Sequence, residues 1–343
     1  MKDWTLQTTA RLPEATQPTN CVGNVPDAIV ASNDDKEELP ALIASGGAAA
    51  RFGWEEFIYG KIRNPHTRAA YGHAVTKFLR HCEGLDKTLS HISPRDVGDY
   101  LDTLDYATAT KKLHLSALRH FFDTLVTRHA VILNPAASVR AERLQVIEGK
   151  TPEISVRHCR RLLASIGTDS VVGLRDKAII GILIYTAARV GAVAKLRRSD
   201  FYDMDGQHSF RFTEKGGKSR EIPVRHDLQK FIMDYLVIAG LEYADKSSPL
   251  LRTTIRRTKR LTMNGMTAND MSRMVKRRMK AAGLPNRYSP HSFRVSAITD
   301  LLNQGVSLGE VQNLAGHADP RTTRLYDRRE RRVTRNIVER ISI

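Results

Sequence analysis

The chain has 343 residues, and its 54 Lys and Arg against 37 Asp and Glu give a formal net charge of +17, which makes a polyanion the expected partner. Three cysteines, Cys21, Cys82 and Cys159, with no CxxC spacing exclude a disulfide framework and a cysteine zinc site, and suit a reducing cytoplasm. The longest apolar run, "AIIGILIYTAA" at 178–188, is too short to cross a bilayer, and no basic stretch followed by an apolar core opens the chain, so no membrane partner is expected.

Residues 1–48 mix Thr, Asn, Pro, Asp and Ala without helical or strand period, end in "SGGAAA", and are expected to form a flexible N-terminal extension. From Trp54 onward helical patterning begins. In "NPHTRAAYGHAVTKFLRHCEG" (64–84), Tyr71, Val75, Phe78, Leu79 and Cys82 mark one helical face and Gly84 a stop. In "SPRDVGDYLDTL", Ser93 is a cap, Pro94 a first helical residue and Asp96 a first-turn acid. A third helix, "TATKKLHLSALRHFFDTLVTR", carries Lys111, Lys112 and Arg119. Residues 49–145 are therefore expected to be an all-helical domain, 146–153 a linker, and 154–343 a second domain. The second domain should hold helices at 155–165 and 175–187, then a hairpin in "HSFRFTEKGGKSREIPV" (208–224), with Phe210 and Phe212 on one face, Ile222 and Val224 on another, and "KGGK" turning. Helices at 268–282, 290–303 and 308–315 follow, the last with a Ser307/Glu310 capping box and a Gly316 stop, and a helical stretch begins near 321.

The groups suited to chemistry fall at the edges of these elements. Arg189 follows a buried helix and Lys215 sits at the hairpin tip. His291 and Arg294, three apart on one helical face, open the helix that Ser289 caps and Pro290 begins; His317 follows Gly316, and Tyr326 lies nine residues on. Each alone has an ordinary structural explanation. Together, two guanidiniums, an ammonium, two imidazoles and a phenol, with no acidic cluster for a metal, suit work on an anionic phosphodiester.

The segments "TAARVGAVAKL", "RFTEKGGKSREIPV" and "SPHSFRVSAITDLLNQGVSLGEVQNLAGHADPRTTRLY" resemble the boxes of the tyrosine recombinase (phage integrase) family, and the helical segment is similar to that family's N-terminal core-binding domain. The resemblance implies a mainly α fold with a small β-sheet in the catalytic domain, built as a two-domain C-shaped clamp of a SAM-like helical core-binding domain and a tyrosine recombinase catalytic domain. It implies a site-specific DNA recombinase that cleaves and rejoins duplex DNA through a 3′-phosphotyrosine intermediate and a Holliday junction, with no cofactor, metal or ATP. Tyr326 would be the nucleophile, Arg189 and Arg294 would hold the scissile phosphate, His291 and His317 would assist proton movement and orientation, and Lys215 would be the general acid. Lys111, Lys112, Arg119, Lys218 and Arg220 are candidate DNA contacts, as are the basic runs at 252–260 and 274–280.

The implied partners are double-stranded DNA with inverted-repeat sites, a homotetramer or paired recombinase in the synaptic complex, and accessory DNA-bending proteins, in a bacterial nucleoid-associated setting. Val333, Ile337 and Ile341 give the C-terminal tail an apolar stripe for docking, on a neighbouring protomer or on its own domain. The family pattern is broken at Ala192, where an acidic residue is common, and at Gly191, Glu214 and Val295. A type IB topoisomerase-like relaxase, and a catalytically silent DNA-binding regulator that the Ala192 departure favours, are the alternative readings.

Overall fold

A computed structural model describes residues 39–142, 151–213, 219–255 and 258–327, which divide into an N-terminal and a C-terminal unit at Leu144/Gln145. Most of the expected extension, the linker residues 146–150, the hairpin tip with Lys215 and Lys218, and the tail with Val333, Ile337 and Ile341 lie outside the described residues.

In the N-terminal unit order begins earlier than the composition suggests. Helices α1 (Ala41–Ser45) and α2 (Gly47–Glu55) occupy the end of the span read as a flexible extension, which corrects that boundary. The reason is local: Leu42 and Ile43 are too short a pair to show a period, yet both are buried in the unit's core, and the Leu42 amide donates to Glu83 Oε1 at 3.1 Å. A π-helical turn (Glu56–Lys61) leads to α3 (Pro65–Glu83), where the Asn64 side chain accepts from the amides of His66 and Thr67. Val75, Phe78, Leu79 and Cys82 of its expected apolar face are fully buried. Helix α4 (Pro94–Thr103) starts with the Ser93/Asp96 capping box, and α5 (Thr108–Thr127) packs Phe121 and Phe122 against Trp54, Phe57 and Phe78 in edge-on contacts.

The C-terminal unit is built around α7 (Val171–Thr186), which follows α6 (Val156–Ser165). Helix α7 is apolar on every side because neighbours cover it all round. Gly181 lets α9 (His226–Ile238) approach, since a Cβ there would stand 2.9 Å from a Leu228 methyl. The sequence reading missed α9. A short α8 (Val190–Val193) precedes an antiparallel sheet of β1 (Phe201–Met204), β2 (Gln207–Thr213) and β3 (Ser219–Pro223) in the order β1-β2-β3. Phe210 pairs opposite Ile222, and directly opposed residues share a face, so Phe210, Phe212 and Ile222 enter one core with Val224 rather than two faces. The basic run at 252–260 begins as a strand: β4 (Arg252–Thr254) pairs with β5 (Leu261–Gly265). Helices α10 (Ala268–Ala281), α11 (Pro290–Asn303), α12 (Leu308–Ala315) and α13 (Pro320–Arg324) complete the unit.

Near the start of α7 the apolar core is interrupted by a buried charge network. Arg175 donates to Asp176 Oδ1 at 2.7 Å and to the Arg252 carbonyl at 2.8 Å, while Arg278 of α10 donates to Asp176 Oδ2 at 2.9 Å. Asp176 is 0% exposed and, through the guanidiniums of Arg175 and Arg278 with Arg277 more distant at 3.5 Å, holds α7, β4 and α10 together. Replacing it by Ala leaves those cations without their counter-ion, and Asp176→Ala is expected to destabilise the C-terminal unit by about 3 to 5 kcal/mol in denaturant unfolding. Unfolding of the N-terminal unit should not move.

Candidate active site

The site begins where α7 ends. Ala187, just past its last turn, has φ +50°, a left-handed conformation that turns the chain out of the helix and sends Arg189 to the surface two residues later. Thr186 steadies the turn, its hydroxyl donating to the Ile182 carbonyl at 2.7 Å and accepting from the Ala188 amide at 3.3 Å. Arg294, in the second turn of α11, is 1% exposed and donates from its NH1 group to the Ala187 carbonyl at 2.6 Å. That carbonyl lies at the negative end of the α7 dipole, where a buried cation is stabilised. One of the two arginines is therefore located against the backbone that carries the other.

At the start of α11 Pro290 holds the first helical position and the Ser289 amide donates to the Ser292 hydroxyl at 3.1 Å, leaving His291 exposed beside Arg294. Two further turns bring the remaining groups in. The Ser307/Glu310 capping box starts α12, and Gly316, at φ +63°, ends it in the left-handed conformation. The His317 amide then donates to the Gln312 carbonyl at 3.2 Å, and Gln312 Nε2 donates back to the His317 carbonyl at 3.0 Å. Asp319 caps α13, whose Thr323 is buried with its hydroxyl 2.8 Å from His317 Nδ1. Tyr326 follows, packed against the cluster of Ile298, Leu302, Val311 and Ala315. Its ring lies parallel to His317 (centroids 5.9 Å apart, 7° between planes), and its hydroxyl is 3.4 Å from His291 Nε2.

The electrostatics bind these contacts into one site. Although the residue is open to solvent by area, the protein packed around its ring first, and then the charges of Arg294 and Arg189, push the His291 imidazole below its ordinary range. Burial pushes His317 down to about 4, reinforced by Arg294, Arg189, His291 and Arg220. Both shifts favour the neutral imidazole, the form with a ring nitrogen able to accept a proton. The structure thus brings together Arg189, His291, Arg294, His317 and Tyr326, drawn from three separate stretches of chain.

Arg220, expected as a DNA contact, belongs with this group. It lies on β3 opposite Phe212, with its guanidinium 5.5 Å from that ring's centroid, on the core-facing side of the strand. Lys111 and Lys112 are half-buried on α5 in the N-terminal unit. Arg119, also expected as a DNA contact, is half-buried on the same helix, and its guanidinium donates to the carbonyls of Ala136 (3.1 Å) and Val139, tying the segment after α5 to that helix. Two of its five donors are thereby committed to the backbone. Sequence reasoning missed Thr323. Its one signal was position, a hydroxyl one helical turn before Tyr326, with nothing in the sequence to join it to His317.

The chain resembles known proteins in both sequence and fold. The phage integrase family model matches residues 154–332, and the phage integrase N-terminal SAM-like domain matches 54–129. Tyrosine recombinase XerC of Herpetosiphon aurantiacus is 30% identical over 267 residues, covering 76% of this chain and 84% of the relative. Tyrosine recombinase XerD of Ralstonia nicotianae is 28% identical over 296 residues, covering 84% and 92%. Among solved structures, XerH site-specific recombinase bound to its difH substrate matches with a TM-score of 0.62 and 20% identity over 79% of this chain and 77% of that one. A lambda integrase dimer bound to a COC′ core site matches with a TM-score of 0.64 and 17% identity over 91% and 84%. These likenesses establish a mainly α fold with small antiparallel sheets, as the residue boxes implied. The chain belongs to the phage integrase family and is a tyrosine-type site-specific recombinase, an enzyme of DNA strand cleavage and rejoining. Among the described residues no helix is long and apolar enough to cross a membrane.

The depressed imidazole sets a pH dependence. With a folded value of about 4 against about 6.5 in the unfolded chain, His317 takes its proton first in the unfolded state as pH falls. The stability that neutral His317 contributes is complete above about pH 6.5 and is lost progressively down to about pH 4. In urea titrations between pH 7 and 4 the wild type should lose up to about 3 kcal/mol more than His317→Gln.

Proposed function

We propose that Tyr326 attacks a phosphodiester of duplex DNA and that Arg189, Arg294, His291, His317 and Lys215 serve that attack. The observation that carries the proposal is the Tyr326 hydroxyl, 3.4 Å from the Nε2 of a neutral-range His291, amid a cluster of cations from distant stretches of chain. Catalytic hydrogen bonds in a protein without substrate are commonly long and tighten around the reacting group.

Tyr326 Oη forms a bond to phosphorus while its proton passes to His291 Nε2, and the bond from phosphorus to the 5′ oxygen breaks. The leaving oxygen takes a proton from the Lys215 ammonium and becomes a 5′ hydroxyl. Arg189 and Arg294 stabilise the charge on the non-bridging oxygens, a task for planar donors aimed at developing charge. The positive end of α11 adds to the same field. The product is a 3′-phosphotyrosine ester that conserves the energy of the broken bond, so a second 5′ hydroxyl can reverse the step without ATP. The proposal calls on no metal, because the guanidiniums supply the charge that a cation would.

At the level of assembly, lambda integrase was solved as a dimer on a core site and as a tetramer on a Holliday junction. We extend this to the present chain: protomers on paired inverted-repeat sites exchange strands through a four-way junction. Lys111, Lys112, Arg119, Lys218 and the basic runs at 252–260 and 274–280, apart from the buried Arg252 and the Asp176-bound Arg278, follow the duplex backbone, with binding that weakens steeply as salt rises. Accessory DNA-bending proteins, a tail docked between protomers and a nucleoid-associated location belong to the same reading.

A nicked suicide duplex carrying a verified site tests the proposal. The wild type should form an SDS-stable covalent adduct, Tyr326→Phe none, and Arg294→Ala should slow adduct formation by a factor of about 100 or more. No adduct from the wild type would make the chain a silent DNA-binding regulator. An adduct with plasmid relaxation but no exchange between two sites would make it a topoisomerase-like relaxase.

A further inference from the structure

We infer that Thr323 is a positioning residue of this site: its buried hydroxyl donates to Nδ1 of His317 and so holds the imidazole in the tautomer whose Nε2 carries the proton. As far as strand cleavage is concerned, the inference rests on the role proposed above for His317; the tautomer itself does not.

The geometry selects the direction of the bond. Thr323 is 0% exposed, and its oxygen lies 2.8 Å from Nδ1 of a ring that is itself 7% exposed. A hydroxyl can give or take a hydrogen bond, but a buried O–H with no acceptor is costlier than a hydroxyl lone pair with no donor. A helical threonine ordinarily returns its proton to a carbonyl one turn back. Here the bond found runs to the imidazole, so Nδ1 accepts and Nε2 must bear the proton of the neutral ring.

The surroundings favour the same tautomer. Burial and the neighbouring charges of Arg294, Arg189, His291 and Arg220 keep the ring uncharged at neutral pH. Arginines only donate, so a bare lone pair at Nε2 would compete with a phosphate for guanidinium N–H groups. A proton at Nε2 makes the imidazole a further donor to the same oxygens. The pair of hydrogen bonds to Gln312 fixes the His317 backbone and the parallel Tyr326 ring fixes its plane, but neither contact tells one ring nitrogen from the other. The Thr323 hydroxyl does.

The test reads the tautomer directly, by nitrogen-15 chemical shifts of histidine-labelled full-length protein, with His317 assigned from the signals lost in His317→Gln. The wild type should show an N–H at Nε2 and a bare Nδ1. Thr323→Val keeps the branched shape and removes the donor; it should shift the His317 nitrogens toward a tautomer mixture and slow adduct formation on the suicide duplex about tenfold. Thr323→Ser should restore both. A wild-type His317 protonated at Nδ1, or Thr323→Val leaving its shifts in place, overturns the inference. Should Thr323→Val fail to fold, the wild-type and Thr323→Ser spectra still decide. A wild type that shows the expected tautomer but forms no adduct removes the proposed function and leaves the hydrogen bond standing.

Discussion

A guanidinium buried to 1% exposure and pressed against a helix-ending carbonyl is the constraint around which this active site is organised. Isolated charge is expelled from protein interiors unless it meets a counter-charge or an aligned dipole. Arg294 meets the Ala187 carbonyl, at the negative end of α7 and in a left-handed turn that an alanine adopts at some cost. Because Arg189 follows that turn by two residues, the bond ties α11 to the chain segment that presents the other arginine. A shift of α11 relative to α7 would therefore disturb the Arg294 bond and the position of Arg294 relative to Arg189 together.

The far end of α7 is held by the same kind of contact with the signs completed differently. Asp176 lies between Arg175 and Arg278, about 17 Å along the helix from Ala187 at 1.5 Å per residue. Between these two charged anchors the helix is mainly apolar, with Lys177 over the Phe231 ring and the Tyr185 hydroxyl donating to Asp227, so apolar packing alone would specify its axial position and rotation weakly. Hydrogen-bonded charges are directional, and the two anchors supply what a uniform apolar surface lacks. They hold α7, β4, α10 and α11 in a register that places the two arginines of the candidate site.

Gathering cations has a consequence for the imidazoles. Desolvation first, and then Arg294 and Arg189, push His291 and His317 toward their neutral forms, with Arg220 adding to the effect at His317; one imidazole lies beside the tyrosine hydroxyl and the other parallel to its ring. Like charges in one place repel, and a bound phosphate relieves that repulsion by bringing the missing negative charge. The site is thus electrostatically complementary to its substrate before substrate arrives, which is the condition under which fixed donors stabilise a transition state effectively. Ala192, in the place of a common acidic neighbour, is consistent with a field left strongly positive.

Much of this was written in the sequence, because caps, stops and apolar periods are local. Ser307/Glu310 and Gly316 delimit α12 as expected, Pro290 opens α11, and the apolar face of α3 is buried as its spacing demands. The boxes that mark the family, and the Arg, His and Tyr side chains that the fold gathers, were also legible. What the sequence could not decide was anything made by segments far apart in the chain: the Arg294 bond to Ala187 spans 107 residues and the Arg278 bond to Asp176 spans 102. Short apolar pairs such as Leu42 and Ile43 carry no period, so their helices read as loose chain until a core receives them. The same reason hid the Thr323 contact and the task of Arg119: local patterning reports which face of an element is apolar, and only the packed fold determines which polar atoms those faces bring within hydrogen-bonding reach.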